Sequence, residues 1–414
     1  MSAFSLVNGV LHAESVSLEL IAKKFGTPCY VYSRAAIESA YREYEAACAG
    51  RDALVCYAVK ANSNLAVLNL LARMGAGFDI VSAGELARVT AAGGRPEKIL
   101  FSGVGKTETE MRQGLAAGIL CFNVESEAEL ERLNSVALSM GKQAPISLRV
   151  NPDVDAQTHP YISTGLKENK FGVAYDDAPR LYRKAAGLPG LRVTGIDFHI
   201  GSQLTQIAPF EAALDKILEF VDMLDATGLP LQHFDLGGGL GIRYSDETPP
   251  AISQYLNSLF ARLGSRRQRV LFEPGRSIVG NAGILLTRIE YLKTGGDRNF
   301  AIVDAAMNDL MRPALYEAWH DVVPVAPRGG VERSYDVVGP VCESGDWLAR
   351  NRRLSVASGD LLAVLSAGAY GMSMSSNYNS RPRAAEVMVD GEKVHLARPR
   401  ETLESLYSSE RLMP

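Results

Sequence analysis

A lysine at the end of an apolar run is the residue of this sequence best placed for covalent chemistry. Lys60 follows the stretch 54–59, whose composition is typical of a strand buried on both faces. Residues 61–64 have the composition of a turn that leads into a helix. An amine at the mouth of such a strand is expected to be partly desolvated, which favours its neutral, nucleophilic form. A lysine that merely caps the strand end is the alternative interpretation.

A glycine run, Gly237-Gly238-Gly239-Leu240-Gly241, follows another strand-like stretch. Backbone amides without side chains in the way bind phosphate groups well. Barrels of alternating strands and helices often hold phosphate after their seventh and eighth strands. A glycine cluster by itself is also consistent with a simple tight turn. At this position in the chain, the run predicts a phosphate site.

The motif Glu273-Pro274-Gly275-Arg276 places a carboxylate and a guanidinium at the end of the last strand-like run. A structural ion pair is one interpretation. In the other, Glu273 pairs with a ring nitrogen that must stay protonated, and Arg276 binds an anion. Combined with Lys60 and a phosphate site, this predicts pyridoxal phosphate as the cofactor.

His199 and Ser202 lie in a third motif at a strand end, His199-Ile200-Gly201-Ser202. A histidine there is by frequency most often a hydrogen-bonded core residue. With a cofactor bound nearby, His199 is expected to stack against the ring face and Ser202 to donate to the phosphate.

The elements that position these residues follow a regular alternation. Eight strand-like runs, each followed by a helical stretch, predict an α/β fold, a (β/α)8 TIM-like barrel. The runs are 54–60, 78–82, 99–103, 121–125, 146–151, 193–200, 233–237 and 269–273. An open, doubly wound sheet is the alternative. The chemistry-bearing residues lie at the carboxyl ends of the runs, where a barrel has its active site.

The segment after Gly283 contains strand-like runs without long helices, which predicts an all-β domain, either a β-sandwich or barrel-like. The predicted domains are an N-terminal segment 1–33 that partly joins the β domain, the barrel 34–280 and the β domain 281–414. Residues 4–12 predict a hairpin with its turn at Asn8-Gly9, and we expect the first strand to join the β domain. Residues 401–412 predict a terminal helix.

Composition limits the classes of partner. The chain is 47% hydrophobic and 22% charged with a net charge of −4, which is typical of a globular protein and argues against nucleic-acid binding. No apolar run approaches the roughly 20 residues that a membrane helix needs. Five scattered cysteines lack metal-ligand spacing, so we expect no metal site and a reducing, cytoplasmic location.

Together these motifs resemble those of the bacterial diaminopimelate decarboxylases. The resemblance rests on Tyr57–Asn62, His199–Gln203, the glycine run, Glu273–Arg276 and Gly339–Asp346, and it extends over nearly the whole chain. The first four motifs are shared with ornithine and arginine decarboxylases of the same fold. The resemblance implies a pyridoxal-phosphate lyase that converts meso-2,6-diaminopimelate to L-lysine and CO2, the last step of lysine biosynthesis. It also implies a homodimer whose active sites are shared between chains.

The resemblance also implies a role for each site residue. Lys60, His199 and Cys342 are the implied catalytic residues, with Lys60 holding the cofactor covalently and Cys342 returning a proton. The implied cofactor contacts are Lys60, His199, Ser202, Gly238, Gly239, Glu273, Gly275, Arg276 and Tyr370. The implied substrate contacts are Arg276, Arg312, Tyr316, Glu343 and Tyr370.

Two other functions stay open at this point. A sister decarboxylase would act on ornithine, lysine or arginine, whose distal cation an arginine in the site would repel. The distal amino-acid head of diaminopimelate instead suits Arg276 and Arg312 together with Glu343. A non-catalytic pyridoxal-phosphate-binding homologue is the second alternative, and it would be expected to have lost Lys60 or Cys342.

Overall fold

The computed structural model describes residues 3–154, 170–296 and 298–414 and divides into two compact units. The first unit is Tyr41–Ile242 with Thr248–Ser277. The second is Met1–Ala40, Arg243–Glu247 and Ile278–Pro414. Since both units are discontinuous in sequence, the predicted domain limits of 1–33, 34–280 and 281–414 stay a prediction.

The first unit is built on a closed ring of parallel strands. In chain order they are Ala53–Ala58, Gly77–Ile80, Ile99–Phe101, Cys121–Val124, Ala144–Asn151, Leu191–Asp197, His233–Asp235 and Arg269–Phe272. Each pairs with the next, and the last pairs with the first, while a short strand, Val173–Ala174, adds to the fifth. The predicted (β/α)8 barrel is therefore confirmed, and the open sheet is excluded. Most predicted runs extended slightly beyond the observed strands, into the loops that carry the chemistry.

Helices follow the strands and pack on the outside of the ring. Their bounds are Leu65–Arg73, Ala83–Ala91, Glu108–Ala117, Glu127–Ser139, Ala178–Ala186, Ala208–Ala226 and Ile252–Leu263. A further helix, Arg34–Ala47, precedes the first strand and begins in the second unit. Side-chain caps fix where several of them begin: Asn64 accepts from the amide of Ala66, and Ser82 from that of Glu85. Such caps keep the loops above the strands short and well defined. Within the described ranges, no helix combines the length and apolar character that crossing a membrane requires.

The second unit is a β-sheet domain. Its main sheet has the strand order Trp347–Leu354, Arg333–Val338, Arg298–Val303, Gly283–Gly295, Cys29–Ser33, Ala385–Asp390 and Lys393–Arg398. Leu361–Val364 also pairs with the long strand Gly283–Gly295 and with Val322–Pro324. The helices are Leu18–Phe25, Arg312–Tyr316 and Arg276–Val279, which begins in the first unit. The predicted all-β character of this region is confirmed.

The prediction for the N-terminal strand is wrong in one respect. Phe4–Val7 and Val10–Ala13 form the expected hairpin, and Asn8 and Gly9 both have the positive φ that its turn needs. That hairpin and Val16–Ser17 form a separate three-stranded sheet. The strand that joins the large sheet is Cys29–Ser33, which is entirely buried and pairs along both edges.

The predicted terminal helix at 401–412 is also wrong, since only Glu404–Leu406 forms a 3-10 turn there. Leu403 and Tyr407, which would supply an apolar face, are 69% and 60% exposed. A short helix without a packed face is unstable in water, so propensity alone does not hold one here.

Candidate active site

Lys60 lies just past the first barrel strand, in the 3-10 turn Val59–Ala61. Its Nζ donates to Oδ2 of Asp79 at 3.1 Å, and Asp79 comes from the next strand of the ring. The Tyr57 hydroxyl, at the end of the strand, donates to the carbonyl of Asn62 and so fixes this turn. The lysine side chain is 41% exposed, and the rest of its surface is buried.

The glycine run at the end of the seventh strand is in close contact with neighbouring backbone. A Cβ on Gly238 would lie 2.2 Å from the carbonyl oxygen of Glu273, and one on Gly239 would lie 2.3 Å from that of Gly201. Gly239 also has a φ of +111°, which favours glycine. Glycine is thus required at these positions for packing as well as for an open row of amides. The structure brings this run beside the motifs of Glu273 and His199.

Two polar side chains of the predicted phosphate site already contact each other. Nη2 of Arg276 donates to the Oγ of Ser202 at 2.9 Å. Gly275, the residue before Arg276, packs on the first strand, because its Cβ would meet those of Ala61 and Ala58 at 2.9 and 3.1 Å. A guanidinium and a hydroxyl side by side next to a glycine run form a suitable anion site.

His199 lies half-buried beside the same run, with Nδ1 accepting from the amide of Gly238 at 3.3 Å. Nδ1 therefore lacks a hydrogen, and Nε2 carries it. Burial lowers the pKa of His199 well below its ordinary value, and the charges of Arg149 and Lys60 lower it further. The imidazole is accordingly neutral and presents a flat ring, which suits stacking better than proton transfer.

Glu273 follows the eighth strand and is only 8% exposed. Its Oε1 is buried and accepts no hydrogen bond from the described residues. Burial raises the pKa of Glu273 well above its ordinary value, and the charges of Asp235, Asp79 and Asp197 raise it further. A buried carboxyl oxygen without a partner is costly, so this atom fits a group with a donor of its own.

Sequence reasoning missed several charged residues inside the barrel. Asp79, Arg149, Asp197 and Asp235 lie within or at the end of strands, and each is at most 9% exposed. The guanidinium of Arg149 lies 3.6 Å from Glu125. The available signal was a charged residue in an otherwise apolar strand run, since charged residues are almost never fully buried unless they are paired.

In the second unit, Cys342 and Glu343 lie on an exposed loop held by a buried carboxylate. Asp346, 3% exposed, accepts from the amides of Val341 and Met307, both at 2.7 Å. The amide of Cys342 donates to Oδ1 of Asn379 at 2.9 Å. The hydroxyl of Tyr378, also missed from the sequence, donates to Oε1 of Glu343. Neighbouring residues of one turn thus contact both members of the Cys342-Glu343 pair.

Arg312 and Tyr316 begin and end one short helix in the same unit. Arg312 is 6% exposed, its Nη1 lies 2.8 Å from Nε2 of His320, and its guanidinium lies over the Tyr244 ring. Tyr370 has a φ of +56°, an uncommon conformation for a bulky residue that is found mostly where surrounding structure enforces it.

The predicted site residues thus form two sets, each described within its own unit. Lys60, His199, Ser202, Gly238, Gly239, Glu273, Gly275 and Arg276 lie on loops above the barrel strands of the first unit. Arg312, Tyr316, Cys342, Glu343 and Tyr370 belong to the second.

The first set fits pyridoxal phosphate. An amine, an anion site and a buried carboxyl oxygen without a partner match the aldehyde, phosphate and ring nitrogen of that cofactor. The unpartnered Oε1 of Glu273 is the most specific of these features. Residues and cofactor chemistry therefore agree.

Comparison with known proteins agrees with this fit. A family model described as "Pyridoxal-dependent decarboxylase, pyridoxal binding domain" matches residues 34–280. A diaminopimelate decarboxylase of Pseudomonas aeruginosa is 62% identical over 414 residues and is covered completely, as is this chain. A crystal structure of diaminopimelate decarboxylase from Helicobacter pylori complexed with L-lysine matches with a TM-score of 0.92 and 43% identity, over 95% of this chain and 98% of that one.

A second solved structure is similar. Diaminopimelate decarboxylase from M. jannaschii in co-complex with L-lysine matches with a TM-score of 0.94 and 37% identity, over 99% of this chain and 98% of that one. Fold and site therefore define a pyridoxal-phosphate-dependent decarboxylase. Within that class, the chain belongs to the diaminopimelate decarboxylase family.

Proposed function

We propose that this enzyme decarboxylates meso-2,6-diaminopimelate to L-lysine and CO2 at a site organised around Lys60. Pyridoxal 5'-phosphate, when bound, supplies the electron sink for the negative charge left at Cα as CO2 departs. The observation that carries the proposal is the position of the Lys60 amine in the same ring of loops as the unpartnered carboxyl oxygen of Glu273. Full-length similarity to diaminopimelate decarboxylases selects the substrate.

Within the barrel, each residue of the first set has one task. Lys60 would hold the cofactor covalently, and Arg276 and Ser202 would bind its phosphate together with the amides of Gly238 and Gly239. His199, neutral and flat, supports the ring face. Glu273 would pair with the ring nitrogen of the bound cofactor and keep it protonated, which would increase the electron-withdrawing power of the ring.

The second set acts on the substrate. Cys342 returns a proton to Cα after CO2 has left, since a thiol can donate one. Arg312 binds the distal carboxylate, Glu343 binds the distal ammonium, and Tyr316 and Tyr370 line the same pocket. Tyr378 holds Glu343 by its hydrogen bond. This pair of opposite charges is what distinguishes diaminopimelate from a diamine-forming substrate with a single distal cation.

Each active site is shared between two chains of a homodimer, and the enzyme is cytoplasmic. What supports the dimer is the family resemblance together with the exposure of Cys342 and Glu343 on a loop of the second unit. A reactive thiol and a recognition carboxylate on an exposed loop suit a site completed from a partner chain. Five cysteines without a disulfide among the described residues suit a reducing compartment.

Release of CO2 tests the substrate assignment. The purified, cofactor-loaded enzyme is given meso-diaminopimelate, L-ornithine, L-lysine and L-arginine separately at equal concentration. We expect CO2 and L-lysine in equal amounts from meso-diaminopimelate, with a kcat/KM well above those of the three competitors. Faster turnover of any competitor would reject the assignment.

A further inference from the structure

Three buried carboxyl groups meet at the carboxyl ends of barrel strands six to eight. One oxygen from each of Asp197, Asp235 and Glu273 lies within 4.8 Å of the others. The three residues are 1%, 0% and 8% exposed. Asp235 is held in place, because Oδ1 accepts from the amide of Gly237 at 3.0 Å and Oδ2 accepts from Nδ2 of Asn123 at 3.2 Å.

The cations near this cluster are too few to balance the negative charge that its carboxyl groups would carry if all were ionised. Two cations face it, Lys60 and Arg149, and each already lies beside another carboxylate, Asp79 at 3.1 Å and Glu125 at 3.6 Å respectively. The thiols of Cys56 and Cys121 and the phenol of Tyr255 also face it, and burial raises the pKa of each, so they add no charge at neutral pH. Five carboxyl groups thus share two cations in a buried space.

Carboxylates this close in a buried site cannot all be ionised, and at least one retains a proton. Both oxygens of Asp235 accept hydrogen bonds, which favours its ionised form, whereas Oε1 of Glu273 is buried and accepts none from the described residues. Burial raises the pKa of Asp235 only to about 6, whereas that of Glu273 is raised much further above its ordinary value. The proton of this pair therefore belongs to Glu273, and Asp235 is the carboxylate.

We infer that Asp235 is a positioning residue that keeps Glu273 protonated in the cofactor-free enzyme, so that Glu273 itself delivers the proton that the cofactor's ring nitrogen acquires on binding. The inference rests on the proposed function, in which Glu273 faces that nitrogen. The O–H bond of Glu273 breaks and an N–H bond forms, leaving a carboxylate opposite a protonated ring. No proton is drawn from solution, and the new ion pair then partly compensates the cluster's negative charge.

Asp235→Asn tests the inference by counting protons. The amide oxygen still accepts from Gly237, and the amide nitrogen replaces the oxygen that accepts from Asn123. Glu273 loses one charged neighbour, so it ionises more readily before the cofactor arrives. Calorimetric titration of the cofactor-free full chain with pyridoxal phosphate, in buffers of different ionisation enthalpy, measures proton uptake. We expect the variant to take up about one more proton per site than the wild type. Asp222→Asn, at an exposed carboxylate of the same unit, is the matched control with unchanged uptake. Equal uptake by Asp235→Asn and wild type overturns the inference.

Infrared difference spectra before and after cofactor loading test the same proton without altering Asp235. The wild type should lose the carbonyl band of a protonated carboxylic acid, and Glu273→Gln should show no such loss. A wild-type spectrum without that loss contradicts the inference even where Asp235→Asn fails to fold. If Glu273→Gln leaves the visible spectrum of the bound cofactor unchanged, the role of Glu273 under the proposed function is wrong. If that spectrum changes while the proton counts stay equal, only the stored proton is rejected.

Discussion

Nζ of Lys60 lies 3.1 Å from Oδ2 of Asp79, a carboxylate whose side chain is completely buried in the neighbouring barrel strand. The pair ties the reactive amine to the ring of strands although the lysine itself is 41% exposed. Asp79 thereby orients Lys60 toward the interior, where Glu273 lies. The contact thus joins Lys60, the residue proposed to bind the cofactor covalently, to the buried carboxylates of the barrel.

Gly238→Ala should damage cofactor binding strongly. The added Cβ would lie 2.2 Å from the carbonyl of Glu273, so the glycine run or the end of the eighth strand must move. We expect at least a ten-fold loss of affinity for pyridoxal phosphate, measured by the visible absorbance of the bound cofactor. Gly105→Ala, where a Cβ meets nothing within 4 Å, is the control. Equal affinity of the two variants would show that the run does not have to approach its neighbours this closely.

Glu343→Gln should impair meso-diaminopimelate turnover while leaving the cofactor spectrum intact. The amide keeps the shape and the Tyr378 hydrogen bond but removes the charge that pairs with the distal ammonium. Loss of one partner of a desolvated charge pair costs about 2–5 kcal/mol, so kcat/KM should fall by roughly 30-fold or more. Glu332→Gln, an exposed carboxylate of the same unit, should behave as wild type. Wild-type kcat/KM for Glu343→Gln would refute distal-head recognition by Glu343.

Mixing two inactive variants tests the shared site. Lys60→Ala removes the residue proposed to bind the cofactor covalently, and Cys342→Ala removes the proposed proton donor. In a mixed dimer with shared sites, one site collects both lesions and the other receives Lys60 and Cys342 intact. Activity should therefore return toward one quarter of wild type on random exchange. Absence of recovery, with subunit exchange verified by mass, means that Cys342 acts within its own chain.

His233 makes stability depend on pH on the acid side. Its Nε2 lies 2.9 Å from the Ser147 hydroxyl, and burial, reinforced by the charges of Arg269 and Arg192, lowers its pKa to about 4. Because the unfolded chain binds this proton more readily, the contribution of His233 is present above about pH 6.5 and is lost as pH falls toward 4. The difference in unfolding free energy between wild type and His233→Gln should shrink over this window, on the order of 3 kcal/mol at most. A difference in unfolding free energy that does not change with pH would exclude His233 as a source of the pH dependence.

The barrel was predictable because each strand is a short apolar run that ends in a turn motif. The runs predicted at 54–60 and 269–273, for example, became Ala53–Ala58 and Arg269–Phe272. Glycines, lysine and arginine at strand ends are visible in sequence for the same reason. The prediction for the N-terminal strand was wrong because this strand pairs within its local hairpin and not with the larger sheet. Sequence patterns do not show which of the two pairings is more stable.

The carboxyl cluster was not predictable to the same extent. Asp197 and Asp235 are 38 positions apart in sequence (235 − 197), and their approach depends on the adjacency of two barrel strands and on the register Asp197–Asp235. Charged residues in apolar runs were a usable signal, but the approach of these carboxyl groups to Glu273 follows only from the folded structure. The contact of Tyr378 with Glu343 depends in the same way on a turn far along the chain.

The measurement that tests the central claim most directly is the location of the cofactor's covalent attachment. Wild-type enzyme loaded with pyridoxal phosphate is reduced with borohydride, digested and mapped by mass spectrometry, with Lys106→Arg as a control at another lysine of the barrel unit. We predict one stable adduct, on Lys60, which is lost in Lys60→Ala and retained in Lys106→Arg. An adduct on any other lysine, or one that persists in Lys60→Ala, would contradict the site described here.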